Sequence, residues 1–249
     1  MPTINKKSKQ LLNKGFIFFR IDRNNKNFIN QVNKLINKID DKNFDSKRIL
    51  TIQNNINKKF NPKFFFKINK KKFKNLFETN NFSIQYYFYL RAVEPINKNS
   101  KINPVNFHRE SFNSKNKILK KAYNIWIPIK NCNIKNSINF YPESHKLIEN
   151  KDFKMTKYKT NIKKYSHEHK LGYLYKERKI KFKKKLKPKK LYKDGHFIIF
   201  SGELIHGAGF NFSKNTRYSL DMRFMLSKNL KNNMRQSSTG KNYFNNIRV

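Results

Sequence analysis

The chain predicts a mainly β fold with flanking helices, and three features of its 249 residues point there. Short runs rich in aromatic and β-branched residues recur at 84–93, 122–129, 137–141 and 194–200, each of strand length. Residues 217–224 alternate polar and apolar with the period of two that a half-buried strand requires. Against these, one stretch carries a clear helical stripe: Phe28, Val32, Leu35, Ile36 and Ile39 recur at helix spacing.

In chain order, the stripe gives an amphipathic helix that packs its apolar face on the strands. Residues 47–80 are mixed and helical in part. Residues 84–93, with Tyr86, Tyr87, Phe88 and Tyr89, form the first strand of the main sheet, continued by 122–129 and 137–141. Residues 203–209 are a short apolar strand running into glycines, and 228–249 are a polar, poorly ordered tail. The length suits one domain, 1–249, with a single sizeable core.

Composition excludes several classes. A lone cysteine, Cys132, leaves no internal disulfide and no cysteine-based zinc site, and reads as a small buried or half-buried thiol. No run approaches the ~18 apolar residues of a membrane span, and the polar, lysine-rich start lacks a signal-length apolar stretch, so a soluble cytoplasmic protein is expected. The formal charge of +42 would suit a nucleic-acid partner. However, Lys, Asn, Ile, Phe and Tyr all have codons made only of A and T, whereas Asp and Glu codons always contain G. A base-composition bias therefore accounts for much of the excess, and no nucleic-acid motif accompanies it.

The chemistry-bearing residues are His108, Glu110 and His206, with Arg217 eleven residues after His206. In a strand over residues 104–112, side chains two apart share a face, so His108 and Glu110 would reach one metal. Two imidazoles and one carboxylate form the facial triad of non-haem iron, which leaves three positions open. On the strand over 217–224, Arg217, Ser219, Asp221 and Arg223 would face one side. A guanidinium there offers a planar fork matched to a carboxylate.

These residues, in this order, resemble the phytanoyl-CoA dioxygenase-like branch of the iron(II) and 2-oxoglutarate-dependent oxygenases. The resemblance rests on residues 106–110 (Asn-Phe-His-Arg-Glu), on 126–129 (Trp-Ile-Pro-Ile) leading to 141–146 (Tyr-Pro-Glu-Ser-His-Lys), on 200–223, and on the opening strand at 15–19. It implies a double-stranded β-helix, a jelly-roll or cupin-like barrel. It also implies Fe(II) held by His108, Glu110 and His206, and 2-oxoglutarate as co-substrate anchored by Arg217 with Ser219. The reaction implied uses O2, releases succinate and CO2, and hydroxylates a substrate C–H bond. Arg223, Trp126 and Asn106 are candidates for contact with the substrate or with the metal ligands. Two departures stand out: the carboxylate is Glu110 where the family usually has Asp, and Glu143 occupies a turn position where the family commonly has glycine.

The insert at 147–194 is this chain's own. Within it, residues 176–190 carry ten lysines and arginines with Ile180, Phe182 and Leu186 between them, which suggests a strand or hairpin with one basic face. It is either a solvated face or a funnel for an anionic small molecule: phosphorylated, nucleotide-linked, CoA-linked or sugar-related. His167 and His169 read as loop, His145 as structural or lining the pocket mouth, and His196 as a core or rim residue. A competing reading is a basic RNA- or ribosome-associated protein on the same barrel with a vestigial metal site.

Overall fold

A computed structural model describes residues 5–38, 46–96, 107–113, 118–157, 178–230 and 244–248. In chain order these contain α1 (Lys6–Lys14), β1 (Phe16–Arg20), α2 (Arg23–Ile36), α3 (Ser46–Lys59), α4 (Pro62–Ile68), α5 (Lys70–Phe77), β2 (Asn81–Gln85) and β3 (Tyr89–Val93). They continue with β4 (Tyr123–Lys130), β5 (Ile138–Phe140), β6 (Phe153–Lys157), β7 (Arg178–Phe182), β8 (Lys189–Lys190), β9 (His196–Ser201), β10 (His206–Ala208), β11 (Arg217–Leu226) and β12 (Phe244–Arg248). The architecture is mostly antiparallel sheet with helices packed on one side.

The large sheet runs β1-β9-β4-β11-β2-β12, with β3 also beside β11. A small sheet, β10-β5-β8, and a hairpin, β6-β7, complete it. Strand alternation divides the large sheet into two faces. On one, Ile17, Phe19, Ile125, Ile127, Phe197, Ile199, Leu220, Met222 and Phe224 pack with Phe28, Val32 and Ile36 of α2 and with Phe65, Phe66 and Phe73 of α4 and α5. Full burial of each such side chain is worth about 1.5–3 kcal/mol, so this face anchors the fold. On the other, Phe16, Trp126, Ile198 and Phe200 pack against Ile138 and Phe140 of the small sheet. Further along that second face, on β11, the side chains become Arg217, Ser219, Asp221 and Arg223.

The helices start where the sequence offers caps. The Asn5 side chain accepts from the Lys7 and Ser8 N–H groups, and Asp22 accepts from Asn25 N–H at 3.0 Å. Gly15 closes α1 at φ 82°, a left-handed conformation that suits glycine.

The strand expected at 84–93 is broken. β3 pairs with β11 up to Tyr89↔Asp221 and β2 resumes at Ile84↔Phe224, so four residues on one side face two on the other. Side chains of α3 replace the missing ladder bonds: Asn57 accepts from Phe88 N–H and donates to its carbonyl, and Gln53 accepts from Leu90 N–H. This lets Phe88 turn into the helical core, where it is fully buried. The tail also differs from expectation: β12 pairs with β2 and buries Phe244 and Ile247. The basic run at 176–190 does form strands, β7 against β6 and β8 against β5. Among the described residues no helix is long and apolar enough to cross a membrane.

Candidate metal centre

His206 opens β10, and its backbone exchanges two hydrogen bonds with that of His108, N–H to O at 2.8 and 3.0 Å. Directly opposed residues of an antiparallel pair project to the same face. The two imidazoles therefore lie side by side, ring centroids 4.4 Å apart. Glu110 reaches them by another route than the predicted strand. After the single bridge at His108 the chain coils into a 3-10 turn, Glu110–Asn113, that begins at the carboxylate itself. The turn is docked by Glu110 N–H donating to Gly202 O at 2.8 Å. Position 202 must be glycine for this approach, since a Cβ there would meet Ala122 O at 2.8 Å and Leu119 O at 2.9 Å.

Glu110 Oε1 lies 3.5 Å from His206 Nε2 and 4.0 Å from His108 Nε2. The three ligand atoms all fall within 4.8 Å of one another. Neighbouring ligands on a ~2.1 Å coordination sphere are roughly 3 Å apart, so a small closure would complete the site. His206 Nδ1 donates to Leu204 O at 2.7 Å, which orients the ring so that Nε2 faces Glu110. Burial alone would raise the Glu110 carboxyl, but the Arg223 guanidinium and the two imidazoles outweigh it and hold it well below the ordinary carboxylate range. Glu110 is thus a buried anion. Arg223 Nε donates to Oε2 at 2.7 Å and Asn124 Nδ2 to Oε1 at 3.0 Å. The donor set fits a divalent metal of the non-haem iron type.

Arg217 lies on the same face of β11 as Arg223 and is 1% exposed, over the Trp126 ring at 5.8 Å. Among the described residues it has no carboxylate ion pair, and its Nε makes no hydrogen bond. Burial lowers its pKa, while Cys132 and Asp221 act the other way. Ser219, two residues on, is fully buried with its hydroxyl unsatisfied. A buried cation beside an orphaned hydroxyl is costly unless an anion completes it, so the pair is suited to a carboxylate. Cys132 is half-buried, its thiol donating to Tyr218 O and pushed up to about 11 by burial.

Of the other candidates, Arg223 contacts Glu110 directly and Trp126 lies against Arg217. Asn106, His167 and His169 fall outside the described residues. His145 is structural, its Nε2 donating to Leu12 O at 2.9 Å, and His196 sits at a strand start bonded to Asp194 O. Several residues were missed by the sequence. Asn124 precedes Trp126 by two on a strand whose other members are mostly apolar, and that parity was the available signal. Arg109 points away from the imidazoles. It donates to Ser144 O and Leu147 O, pairs with Glu203 at 3.6 Å and lies over Phe153, tying the turn at 141–147 to the ligand segment. Ser144 Oγ in turn accepts from Ile205 N–H, beside His206.

No protein-family model matches the chain, and no curated protein matches it in sequence. Solved structures do. It is similar to EvdO2 from Micromonospora carbonacea var. aurantiaca complexed with 2-oxoglutarate, at 11% identity over 90% of this chain and 91% of that one, TM-score 0.52. It is similar to the epimerase SnoN in complex with Fe3+, alpha ketoglutarate and nogalamycin RO, at 11% over 88% and 82%, TM-score 0.50. It is also similar to the apo form of the non-heme monooxygenase ThoJ, at 8% over 89% and 77%, TM-score 0.52. At such identities the likeness is one of fold, and that fold is shared with non-haem, 2-oxoglutarate-dependent oxygenases.

Proposed function

We propose that this chain is a non-haem Fe(II)- and 2-oxoglutarate-dependent dioxygenase of the phytanoyl-CoA dioxygenase-like kind, one double-stranded β-helix domain over residues 1–249, hydroxylating a small anionic or sugar-related metabolite. One observation carries the reading: two imidazoles and a buried carboxylate converge within 4.8 Å, and a buried arginine without a carboxylate partner among the described residues shares the face of β11 that contacts that carboxylate. The fold shared with EvdO2 and SnoN supports it.

In this reading each residue has one role. His108 and His206 offer Nε2, with the His206 ring oriented by its bond to Leu204 O. Glu110 offers Oε1. Arg217 would hold the distal carboxylate of the keto acid with its fork, and Ser219 with its hydroxyl. Phe140 and Phe200 pack around the His206 ring and keep water from that side. The chemistry supplied when Fe(II) and 2-oxoglutarate are bound is activation of O2 with oxidative decarboxylation of the keto acid to succinate and CO2.

Anaerobic titration of the apoprotein with Fe(II) and 2-oxoglutarate tests this through the visible charge-transfer band of the chelate. The band should form in the wild type and vanish in His206→Ala. Arg217→Ala should need roughly ten- to a hundredfold more 2-oxoglutarate, the loss of a charge-assisted bond worth about 1.5–3 kcal/mol. A folded wild type that gives no band would overturn the reading.

A further inference from the structure

We infer that Arg223 and Asn124 confine Glu110 to a single coordinating oxygen, and that this grip is what allows a glutamate to serve at a position where its length would otherwise let both oxygens bind; the inference rests on the metal-centre reading above. Arg223 and Asn124 stand opposite each other on β11 and β4. From there both reach the same carboxylate: Arg223 Nε takes Oε2 at 2.7 Å and Asn124 Nδ2 takes Oε1 at 3.0 Å. Oε2 is held by Arg223, and Oε1, which accepts from Asn124, lies 3.5 and 4.0 Å from the imidazole nitrogens of His206 and His108. All three residues are buried, Glu110 at 2%, Asn124 at 3% and Arg223 at 8% exposure. Arg223 is itself fixed, its backbone N–H bonded to Gln85 Oε1 at 3.1 Å and its guanidinium over the Tyr89 ring at 5.6 Å.

The consequence is a count of coordination positions. An octahedral ion holding two imidazoles and one carboxylate oxygen keeps three positions open, whereas a bidentate carboxylate would leave two. A chelating keto acid and O2 together need three. Glutamate has one more rotatable bond than aspartate, and a flexible carboxylate near a cation binds through one or both oxygens according to what else holds it. Arg223 occupies the second oxygen. It is a positioning residue, acting on the metal through Glu110. Shortening the side chain at 110 by one methylene, about 1.5 Å, would leave it unable to meet both Arg223 and the imidazoles.

The test is a Co(II) titration of the apoprotein, followed by visible absorption with and without 2-oxoglutarate, on the wild type, Arg223→Lys, Arg223→Met, Glu110→Asp, Glu110→Ala and the double variant Glu110→Ala/Arg223→Met, with far-ultraviolet circular dichroism to check folding. Arg223→Met is expected to alter the Co(II) band shape and to weaken metal or keto-acid binding ten- to a hundredfold. Arg223→Lys should recover part of the loss, and Glu110→Asp should resemble Arg223→Met. With Glu110 already alanine, adding Arg223→Met should change nothing further. That last comparison holds even if Arg223→Met alone fails to fold, because the double variant leaves no unpaired buried carboxylate. A wild-type spectrum and affinity in Arg223→Met would overturn the inference and leave the metal centre standing, as would an equal effect of Arg223→Met with and without Glu110. A wild type that binds no Co(II) would overturn both.

Discussion

Glu143 turns the chain at φ 65°, ψ −3°, a left-handed conformation in which a Cβ costs roughly 1–2 kcal/mol. The resemblance marks this position as one where glycine is common, and the backbone shows why. The strain is tolerated because the turn is held on several sides: Glu143 N–H donates to Lys14 O, Arg109 to Ser144 O, and Ile205 N–H to Ser144 Oγ. Glu143→Gly should therefore stabilise the fold by up to about 1 kcal/mol, the relief of strain being partly offset by the greater freedom of glycine in the unfolded chain. Urea unfolding measures this, and a lower midpoint would show that the Glu143 side chain contributes more than its backbone costs. The parity of residues along β11 was readable in advance, since alternation on a strand needs no tertiary information. The contact between Arg223 and Glu110 was not, because 113 residues separate the partners and only the sheet brings them together.

Among the elements, α2 shows how local signals and packing divide the work. Of its stripe, Phe28, Val32 and Ile36 are buried and Leu35 is half-buried against the same core, while Ile39 lies outside the described residues. Its start depends on Asp22, whose carboxylate caps the helix, bonds the Asn25 amide and pairs with Lys72 of α5. Asp22→Ala should cost about 1 kcal/mol at neutral pH. Partial burial raises the Asp22 carboxyl, but Lys72 and the bonds from Asn25 outweigh it, so its folded value lies below the ordinary one. Its contribution is then complete above an unfolded value of about 4 and is lost as pH falls through the lower folded value. The gap in stability between wild type and Asp22→Ala should accordingly narrow on acidification, and a gap that widened below pH 4 would contradict this origin. The break between β2 and β3 was not legible, because the sequence Tyr-Tyr-Phe-Tyr has every local preference of a strand. What interrupts it is a pair of amide side chains supplied by α3.

For the whole molecule, 57 basic residues face 15 acidic ones. The crowding has structural form on the helical side, where Lys6, Lys7, Lys71, Lys72 and Lys74 line one cavity with only Asp22 and Glu78 as acids. A net charge this far from zero destabilises the compact state through self-repulsion. Raising NaCl from about 0.02 to about 0.3 M shortens the Debye length from roughly 20 to roughly 6 Å, and the urea midpoint should rise steadily across that range. A midpoint independent of salt would mean that the surface already disperses its charge.

The sequence by itself determined the alternation along β11, the apolar face of α2, the nomination of His108, Glu110, His206 and Arg217 as candidates, and the shared face of Arg217, Ser219, Asp221 and Arg223. Each is a matter of residue type, spacing within a segment and the order of segments along the chain. The tertiary structure alone decided that Glu110 arrives from a 3-10 turn docked on Gly202, that Asn124 and Arg223 grip it, that Arg109 binds the turn at 141–147 to the ligand segment, and that β12 closes an edge of the sheet. Those outcomes depend on which distant backbones lie alongside one another, and the hydrogen bonds that fix them have no counterpart in local spacing.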